Sequence, residues 1–564
     1  MSPVAPHPRA GALTRPRASA LGGLPLDRRA LLRAGLFAGG LAALGPGLAG
    51  CGSPVEPLPP GDASPPTPVS SRAVTPSLPG TAEGVPDAYF DYPADPPRVT
   101  SGVPGDGSVV TGMVTTYSPV PPGPGANSYW RELNRRLGVD LRLQITPNSD
   151  FQSKFATVVA GGALPDLMQL GASPLMPLLL QTRCVDLSDH LSGDAAQRYP
   201  NLAGLGTEAW RAGIVNGRIY GVPVPRGTIS ADGMFRRDDL LAARGISGEP
   251  ADFEELLALF TEVTAPAEGR WALTGVPYTN LGPMAGVPNA WRLSDDGALT
   301  SQWEGEEQER CIDLATRLLQ AGVVHPDWAS SSSQKQWLGN GTCLYHQDSL
   351  NAWQQFYREN TAGESFDVGT VLLPQADGGG LANVWRGAPA FHTSVVTQGN
   401  EQRLEMLLSV LDHLASPFGS EEYLFLNFGL PGDHYELDGT NPVLSPSGAA
   451  QTALGVRYLT EGPKVIYIPG VQQAARKLHA HLSATVPVSA RNPVQYVYSE
   501  AESRYGPRLT TQMNNARNDV VTGRATMRDW RQAVADWRAG GGDDMKRELL
   551  TALEETPEDL RPLR

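Results

Sequence analysis

Strand-like and helix-like patterns alternate near the start of the folded part of this chain, and this alternation constrains the fold more than any other feature. Alternating apolar residues predict strands, and apolar residues spaced three or four apart predict helices. The order is strand, helix, strand, helix, strand, at residues 108–117, 128–137, 139–145, 151–160 and 165–170. Such an order predicts an α/β fold with a parallel sheet, whose carboxyl-end loops form a ligand crevice.

Length and charge limit the possible functions. The chain has 564 residues, enough for two ordinary domain cores, and a net charge of -14. Nucleic-acid binding depends on clustered Lys and Arg, and no run of five basic residues occurs. We therefore predict that the protein has no nucleic-acid partner.

The N-terminus has the features of an export signal. Arg28 and Arg29 precede an uncharged, glycine-rich stretch at residues 34–50 that is too short for a membrane span. The paired arginines resemble a twin-arginine signal. The last three residues of the stretch and the next residue form Leu-Ala-Gly-Cys at residues 48–51. This motif resembles a bacterial lipobox, in which Cys51 would be lipidated and become the first mature residue. We expect residues 1–50 to be a signal peptide.

The segment after Cys51 is rich in proline, with 13 prolines in residues 52–97. Such a composition has little apolar surface and favours extended conformations. We therefore expect residues 51–105 to form a lipidated, disordered tether.

Several motifs resemble extracellular solute-binding proteins of ABC importers. The segment KFATVVAGGALPDLMQL at residues 154–170 resembles that family's helix, Pro-Asp and strand signature, and NGRIYGVP at 216–223 resembles its D-G-K-x-Y-G-x-P strand. NFGLPGDHYE at 427–436 resembles a segment of the LplA-like lipoprotein subgroup, with Pro431 where Glu is usual. Further motifs follow in the family's order at residues 235–240, 250–256, 321–328, 339–348, 418–422 and 524–550.

The resemblance implies a type II periplasmic-binding-protein fold, with two α/β lobes joined by a hinge and a ligand cleft between them. It places residues 106–228 and 383–428 in lobe one, and residues 229–382 and 429–564 in lobe two. The chain would then cross the hinge more than once, and closure would be a hinge motion.

Motifs for catalysis are absent from the sequence. It has no G-x-S-x-G, H-E-x-x-H or G-x-x-x-x-G-K-[ST] pattern, and its nine histidines include no i, i+4 pair. Adjacent carboxylates such as Glu421 and Glu422 could flank a glycosidic bond, but solvated helix faces explain them better. We expect no catalytic residue, no cofactor and no metal.

Aromatic and polar residues in the loops that the resemblance places at the cleft are the candidate ligand contacts. Sugar rings stack their apolar faces on Trp and Tyr, and their hydroxyls bind polar side chains. The candidates are Tyr117, Asn127, Trp130, Gln169, Ser173, Tyr278, Asn280, Trp291, Gln347, Asp348, Trp385, Arg386 and Tyr435.

Packing is the competing interpretation for several of these positions. Trp130, on a helix face, fits a core position better than a ligand platform, and Trp385 fits either role equally. Trp530 and Trp537 are expected to pack. Cys311 is expected to be buried in a helix at residues 304–321, and the sequence leaves open whether Cys184 and Cys343 form a disulfide.

These observations predict a non-enzymatic receptor that captures a carbohydrate, in particular an oligosaccharide, and delivers it to ABC permease subunits. It would be a monomer, anchored by lipid on the outer face of the cell membrane and exported by the twin-arginine route. Two alternatives stay open: the same fold binding a peptide or another small metabolite, and a surface-anchored glycan hydrolase.

Overall fold

The computed structural model describes residues 61–70, 72–171, 176–330, 333–360, 366–557 and 561. The chain divides into two units, Met1–Glu56 and Pro57–Arg564, and every described residue belongs to the second. The predicted signal residues Arg28 and Arg29, the lipidation residue Cys51 and the candidate ligand residue Ser173 lie outside the described residues.

The strands, numbered in chain order, are mostly short. They are β1 (Ala88–Tyr89), β2 (Val109–Thr116), β3 (Asp140–Pro147), β4 (Leu167–Gln169), β5 (Ile214–Val215), β6 (Arg218–Ile219), β7 (Gly221–Pro225), β8 (Asp232–Arg237), β9 (Trp271–Leu273), β10 (Trp291–Leu293), β11 (Leu299–Ser301), β12 (Cys343–Ser349), β13 (Val368–Thr370), β14 (Ala390–Val396), β15 (Tyr435–Asp438), β16 (Asn441–Leu444) and β17 (Ile466–Tyr467).

The α-helices are numbered in the same way. They are α1 (Ser128–Leu137), α2 (Asn148–Gly161), α3 (Met176–Arg183), α4 (Ser188–Leu191), α5 (Pro200–Ala203), α6 (Thr207–Trp210), α7 (Asp238–Ala242), α8 (Phe253–Val263), α9 (Tyr278–Ala285), α10 (Glu306–Gln320), α11 (Gln334–Gly339), α12 (Trp353–Asn360), α13 (Leu404–Leu414), α14 (Glu421–Phe428), α15 (Pro446–Thr452), α16 (Gln472–Thr485), α17 (Glu500–Val521), α18 (Met527–Trp537) and α19 (Asp543–Glu555).

A five-stranded sheet is formed in the order β3-β2-β4-β14-β7. β2 runs parallel to β3 and β4, whereas β14 is antiparallel to both of its neighbours. β2, β3, β4 and β7 therefore end at one edge of the sheet, beside the start of β14. We call this edge, with Thr116, Gln169, Pro225 and Ala390, the first carboxyl edge. The predicted parallel strand–helix–strand–helix–strand order is confirmed.

Helix α1 shows why the local sequence was sufficient to predict the bounds of a helix. Its predicted bounds are those observed, because the Asn127 side chain caps the Trp130 N–H at 2.9 Å and Gly138 ends the helix with φ of 66°. The apolar face of the helix is buried against the first sheet, with Leu133 and Leu137 fully inaccessible.

A second sheet has four strands in the order β13-β8-β12-β9. β12 is parallel to β9, and β8 is antiparallel to β12 and β13. β9, β12 and β13 therefore end at the edge where β8 begins. We call this edge, with Asp232, Thr274 and Gln347, the second carboxyl edge. Six helices after residue 250 share a large apolar core with this sheet: α8, α9, α10, α17, α18 and α19.

The chain crosses between the two sheets at their carboxyl edges. β7 ends at Pro225 and β8 begins at Asp232, so residues 226–231 join the two edges directly. A second crossing follows β13 and leads into β14. The crossings contact each other, because the N–H groups of Arg226 and Gly227 donate to the Pro389 carbonyl at 2.8 and 3.1 Å. Both carboxyl edges therefore lie next to the two crossings, which are the hinge segments.

The proline-rich segment differs from the expected tether, because residues 61–70 and 72–105 pack on the folded body. β1 pairs in parallel with β17, and the hydroxyl of the buried Tyr92 donates to the Ser420 carbonyl at 2.6 Å. The prediction considered the proline content of this segment. Aromatic residues between the prolines supply the apolar surface that packs on the body. Tyr89 and Tyr92 pack in one cluster with Phe418.

The expected start of lobe two at residue 429 also differs from the packing. α15 lies against α1, and the Asn127 side chain donates to the Gln451 carbonyl at 3.0 Å. Val456 and Leu459 are buried in the same core as Val110 of β2. The chain after residue 429 thus first packs on the first sheet.

The three described cysteines are buried and free, so the disulfide considered between Cys184 and Cys343 is not formed. Cys343 begins β12 of the second sheet, whereas Cys184 packs in a core of the first sheet with Val395. Burial raises the pKa of each thiol to about 12. Cys311 lies in α10 as predicted. Among the described residues, no helix combines the length and apolar character needed to cross a membrane.

Candidate functional site

Three aromatic rings meet at the first carboxyl edge. Tyr117 follows β2, Phe391 is the second residue of β14, and Tyr458 belongs to the segment after α15. Their ring centroids are 6.2 Å apart for Tyr117 and Phe391, 5.8 Å for Tyr117 and Tyr458, and 6.0 Å for Phe391 and Tyr458. Tyr117 is 59% exposed and Phe391 is 43% exposed. We call these three residues the aromatic platform.

Exposure of two large rings in contact is unusual, because burying them would be favourable. A flat, partly apolar surface of this kind suits the apolar face of a sugar or another ring. The sequence predicted Tyr117 for this role. Phe391 and Tyr458 were missed.

Polar groups behind the platform hold it in place. The buried Gln169 accepts from the Thr115 N–H at 2.9 Å, and its Nε2 lies 3.4 Å from Nδ1 of His392. Nε2 of His392 lies 3.0 Å from the Tyr458 carbonyl, which can only accept, so Nε2 donates and Nδ1 accepts. Burial lowers the pKa of His392 to about 4, consistent with a neutral ring at pH 7. Gln169 thus supports the platform through His392.

Four charged side chains form a cluster beside the platform: Arg226, Arg457, Glu461 and Lys464. We call them the charged cluster. Nζ of Lys464 lies 2.7 Å from the Glu461 carboxylate, Arg457 lies 3.5 Å from it, and Arg226 contacts it directly. Burial alone would raise the pKa of Glu461, but Arg457, Lys464 and Arg226 lower it to about 2.

The charged cluster also contacts the rings. The Arg226 guanidinium carbon lies 4.7 Å from the centroid of Phe391, and that of Arg457 lies 5.7 Å from the centroid of Tyr458. Both distances are within the range of cation–π attraction. The first carboxyl edge therefore combines exposed rings with cations.

The second carboxyl edge carries polar side chains. Gln347 accepts from the Thr279 N–H at 3.0 Å, and the Thr279 hydroxyl donates to Asp232 at 2.6 Å. Burial raises the pKa of Asp232. Burial acts on Asp348 in the same direction, but hydrogen bonds and charges from His346 and Lys335 hold its pKa below the usual value.

A cavity of about 300 Å³ opens at this edge. Tyr278 and Gln347, both predicted, lie in its wall. The Tyr278 hydroxyl donates to Asn518 at 2.8 Å, and the Arg517 guanidinium stacks 3.7 Å from its ring centroid. Burial raises the pKa of Tyr278 to about 12. The other lining residues, which the sequence did not indicate, are Thr274, Gly275, Val276, Trp328, Ala329, Gln334, Asn518, Thr522 and Arg524.

Two predicted residues near the first edge are structural instead. Asn127 is fully buried as the cap of α1. Trp130 is 5% exposed, and its indole N–H donates to the Leu141 carbonyl at 2.9 Å. Both side chains therefore serve the core, as the packing interpretation of Trp130 anticipated.

Three more predicted residues are buried elsewhere. Trp291 packs 6.2 Å from Trp537, and Tyr435 packs 6.3 Å from Phe428. Asn280 is 1% exposed in α9, and neither of its amide atoms has a hydrogen-bond partner among the described residues. Because neighbouring aromatic rings cover Trp291 and Tyr435, we no longer count these two residues as candidate ligand contacts.

Trp385 and Arg386 lie in the second crossing between the sheets. The Trp385 indole N–H donates to the Val287 carbonyl at 2.8 Å, and its ring lies against Gly282 of α9. The Arg386 guanidinium donates to the Glu83 carbonyl of the N-terminal segment. Both side chains join elements of the fold. Trp530 and Trp537 are buried, which confirms their predicted packing role.

No group of three or more His, Cys, Asp or Glu side chains suited to a metal ion occurs in the ranges that the structure describes.

Comparison with known proteins identifies similar chains. The family model described as bacterial extracellular solute-binding protein matches residues 131–404. Lipoprotein LipO of Bacillus subtilis (strain 168) is 23% identical over 476 residues, covering 78% of this chain and 90% of the relative. The polygalacturonan/rhamnogalacturonan-binding protein YtcQ of the same organism is 21% identical over 453 residues, covering 75% and 88%.

Solved structures share the fold. The substrate-binding protein FusA of an S. pneumoniae ABC transporter, in complex with kestose, has a TM-score of 0.59 at 17% identity, covering 79% of this chain and 99% of its own. The N-glycan transport solute-binding protein NgtS of Streptococcus pneumoniae has a TM-score of 0.59 at 14% identity, covering 80% and 99%. The alginate-binding protein AlgQ2, without calcium, has a TM-score of 0.58 at 15% identity, covering 80% and 99%.

These likenesses confirm the predicted class of fold, with two α/β lobes as in periplasmic solute-binding proteins. The family match and the two relatives agree with the motifs in the sequence. The predicted resemblance of this chain to bacterial extracellular solute-binding proteins is thereby confirmed.

Proposed function

We propose that this protein captures an oligosaccharide between the two carboxyl edges and releases it to the permease of an ABC importer. The aromatic platform is the main observation in support. A sugar ring offers an apolar face for stacking and a polar rim for hydrogen bonds. Tyr117 and Phe391 supply an exposed surface for stacking. Polar groups at the second carboxyl edge, such as Gln347, suit the hydrogen bonds.

The relatives support a carbohydrate ligand rather than a peptide. YtcQ is described as binding polygalacturonan and rhamnogalacturonan, and FusA was solved with kestose. Their sequence identity is low, so they suggest the class of ligand and not its identity. We extend that class to this chain because its platform is at the edge where the fold places ligands.

We further propose that the protein is a receptor without enzymatic activity, exported and held at the membrane by lipid on Cys51. The family is extracellular, and LipO is a lipoprotein. The lipobox-like sequence is the basis for the anchor, and Arg28 and Arg29 are the basis for the twin-arginine route. A Cys51→Ala form released from membranes, and a form with both arginines changed to lysine that is no longer exported, are the expected results.

Calorimetric titration with a panel of neutral and acidic oligosaccharides tests the ligand class. Tyr117→Ala should weaken the binding of a panel member about two- to tenfold, because one aromatic contact is worth about 0.5–1.5 kcal/mol. Leu437→Ala is the matched control, since Leu437 is 58% exposed on β15, outside the platform. Absence of binding across the panel by a folded protein would contradict the proposal.

A further inference from the structure

The charged cluster contains more cations than carboxylates. Arg226, Arg457 and Lys464 are all ion-paired with Glu461, and among the described residues none of the three has a second carboxylate within 4 Å. With Lys464 protonated, one negative charge thus faces three positive charges. This excess is local, because the chain as a whole has a net charge of -14.

Burial strengthens the effect of this excess positive charge. The side chains of Arg226, Glu461 and Lys464 are only 10–16% exposed, so water screens their charges weakly. Burial lowers the pKa of Lys464 to about 7 despite the nearby carboxylate of Glu461. Cations held together at low exposure repel each other unless an anion compensates them. The cluster is therefore poised to gain from a further negative charge.

The excess also lies where a ligand would stack. Arg226 and Arg457 contact the rings of Phe391 and Tyr458, two members of the platform. The Arg457 side chain is 52% exposed, and its guanidinium carbon lies 5.7 Å from the centroid of Tyr458. Guanidinium groups bind carboxylates through paired hydrogen bonds.

From this arrangement we infer that the ligand is an anionic saccharide, a chain of uronic acid residues, whose carboxylate binds at Arg457 while its ring stacks on the platform. The inference rests on the proposed function, because it assigns a charge to the sugar that the platform receives. A neutral sugar can accept hydrogen bonds from these cations, but it does not compensate their excess positive charge.

A pair of ligands with the same sugar rings but different charge tests the inference. Trigalacturonate and its fully methyl-esterified form have the same rings, but the ester has no carboxylate. We expect the intact protein to bind trigalacturonate at least tenfold more tightly by calorimetry, with an affinity that falls as salt is raised. Arg457→Gln should remove most of this preference.

Arg476→Gln provides the matched control. Arg476 of α16 also stacks on an aromatic ring, 3.9 Å from the centroid of Phe90 in the N-terminal segment, and this contact lies outside the platform. Its variant should keep the preference for trigalacturonate. Thermal unfolding of each variant establishes that it is folded.

The outcomes separate the two proposals. Equal affinity for acid and ester, or an unchanged preference in Arg457→Gln, would overturn the anionic ligand. Binding of a neutral oligosaccharide that depends on Tyr117 would then leave the carbohydrate proposal standing. Failure of every acidic and neutral oligosaccharide to bind would contradict both.

Discussion

The Arg226 guanidinium lies 4.7 Å from the centre of the Phe391 ring. Arg226 begins the first crossing between the sheets, and Phe391 follows the second crossing, so this contact joins both hinge segments at the first carboxyl edge. It also brings the charged cluster against the aromatic platform. Stacking surface and positive charge are therefore parts of one site.

Glu461→Gln is expected to destabilise the folded protein. The substitution leaves two largely buried cations, Arg226 and Lys464, without their carboxylate, and breaking a buried ion pair costs about 3 kcal/mol. Urea unfolding followed by circular dichroism would measure the loss. Glu436→Gln, on the exposed side of β15, should change stability by less than about 0.5 kcal/mol. Equal stabilities of the two variants would contradict a role for Glu461.

Acid should weaken the protein through the same carboxylate. The pKa of Glu461 is about 2 in the folded chain, against 4.5 for the free group, so its contribution is present above pH 4.5 and is lost as the pH falls toward 2. The free energy of unfolding measured from pH 6 to pH 3 should fall more steeply in the natural protein than in Glu461→Gln. Parallel curves would show that Glu461 does not titrate in this way.

Gly282→Ala should lower the melting temperature. An added Cβ would lie 2.7 Å from Cζ2 of Trp385, and overpacking of this kind costs about 1–3 kcal/mol. Gly506→Ala is a matched control, because Gly506 also precedes a proline inside a helix. An added Cβ there has no atom nearer than 3.5 Å beyond its chain neighbours and its own helix backbone, so this variant should lose less stability. A Gly282 variant as stable as the natural protein would indicate that Trp385 does not pack there.

Asn127→Ala should reduce stability without changing ligand affinity. The variant loses the cap of α1, worth about 1 kcal/mol, and the bond to Gln451. Affinity for a bound oligosaccharide, measured well below the melting temperature, should stay within twofold of the natural value. A large loss of affinity in a folded variant would return Asn127 to the ligand contacts.

The sequence predicted those parts of the fold that depend on local pattern. β2, α1 and β3 follow apolar periodicity, with a capping residue and a terminal glycine to set the ends of the helix. Chain order alone does not place β14 between β4 and β7, antiparallel to both, and this insertion brings Phe391 to the platform. Phe391 could have been suspected only as an aromatic at the start of a strand after a crossing.

Aromatic residues misled the site prediction because a sequence does not tell which face of an element is covered. Trp130 and Trp291 are as aromatic as Tyr117, yet their rings are buried and that of Tyr117 is exposed. For the N-terminal segment, composition predicted too little structure. Its prolines indicated disorder, whereas Tyr89 and Tyr92 hold it against the body.

A crystal structure of the protein with trigalacturonate bound would test the central claim most directly. We expect a sugar ring stacked on Tyr117 and Phe391, with a carboxylate within hydrogen-bond distance of Arg457. A ligand bound elsewhere, with the aromatic platform uncovered, would contradict the account.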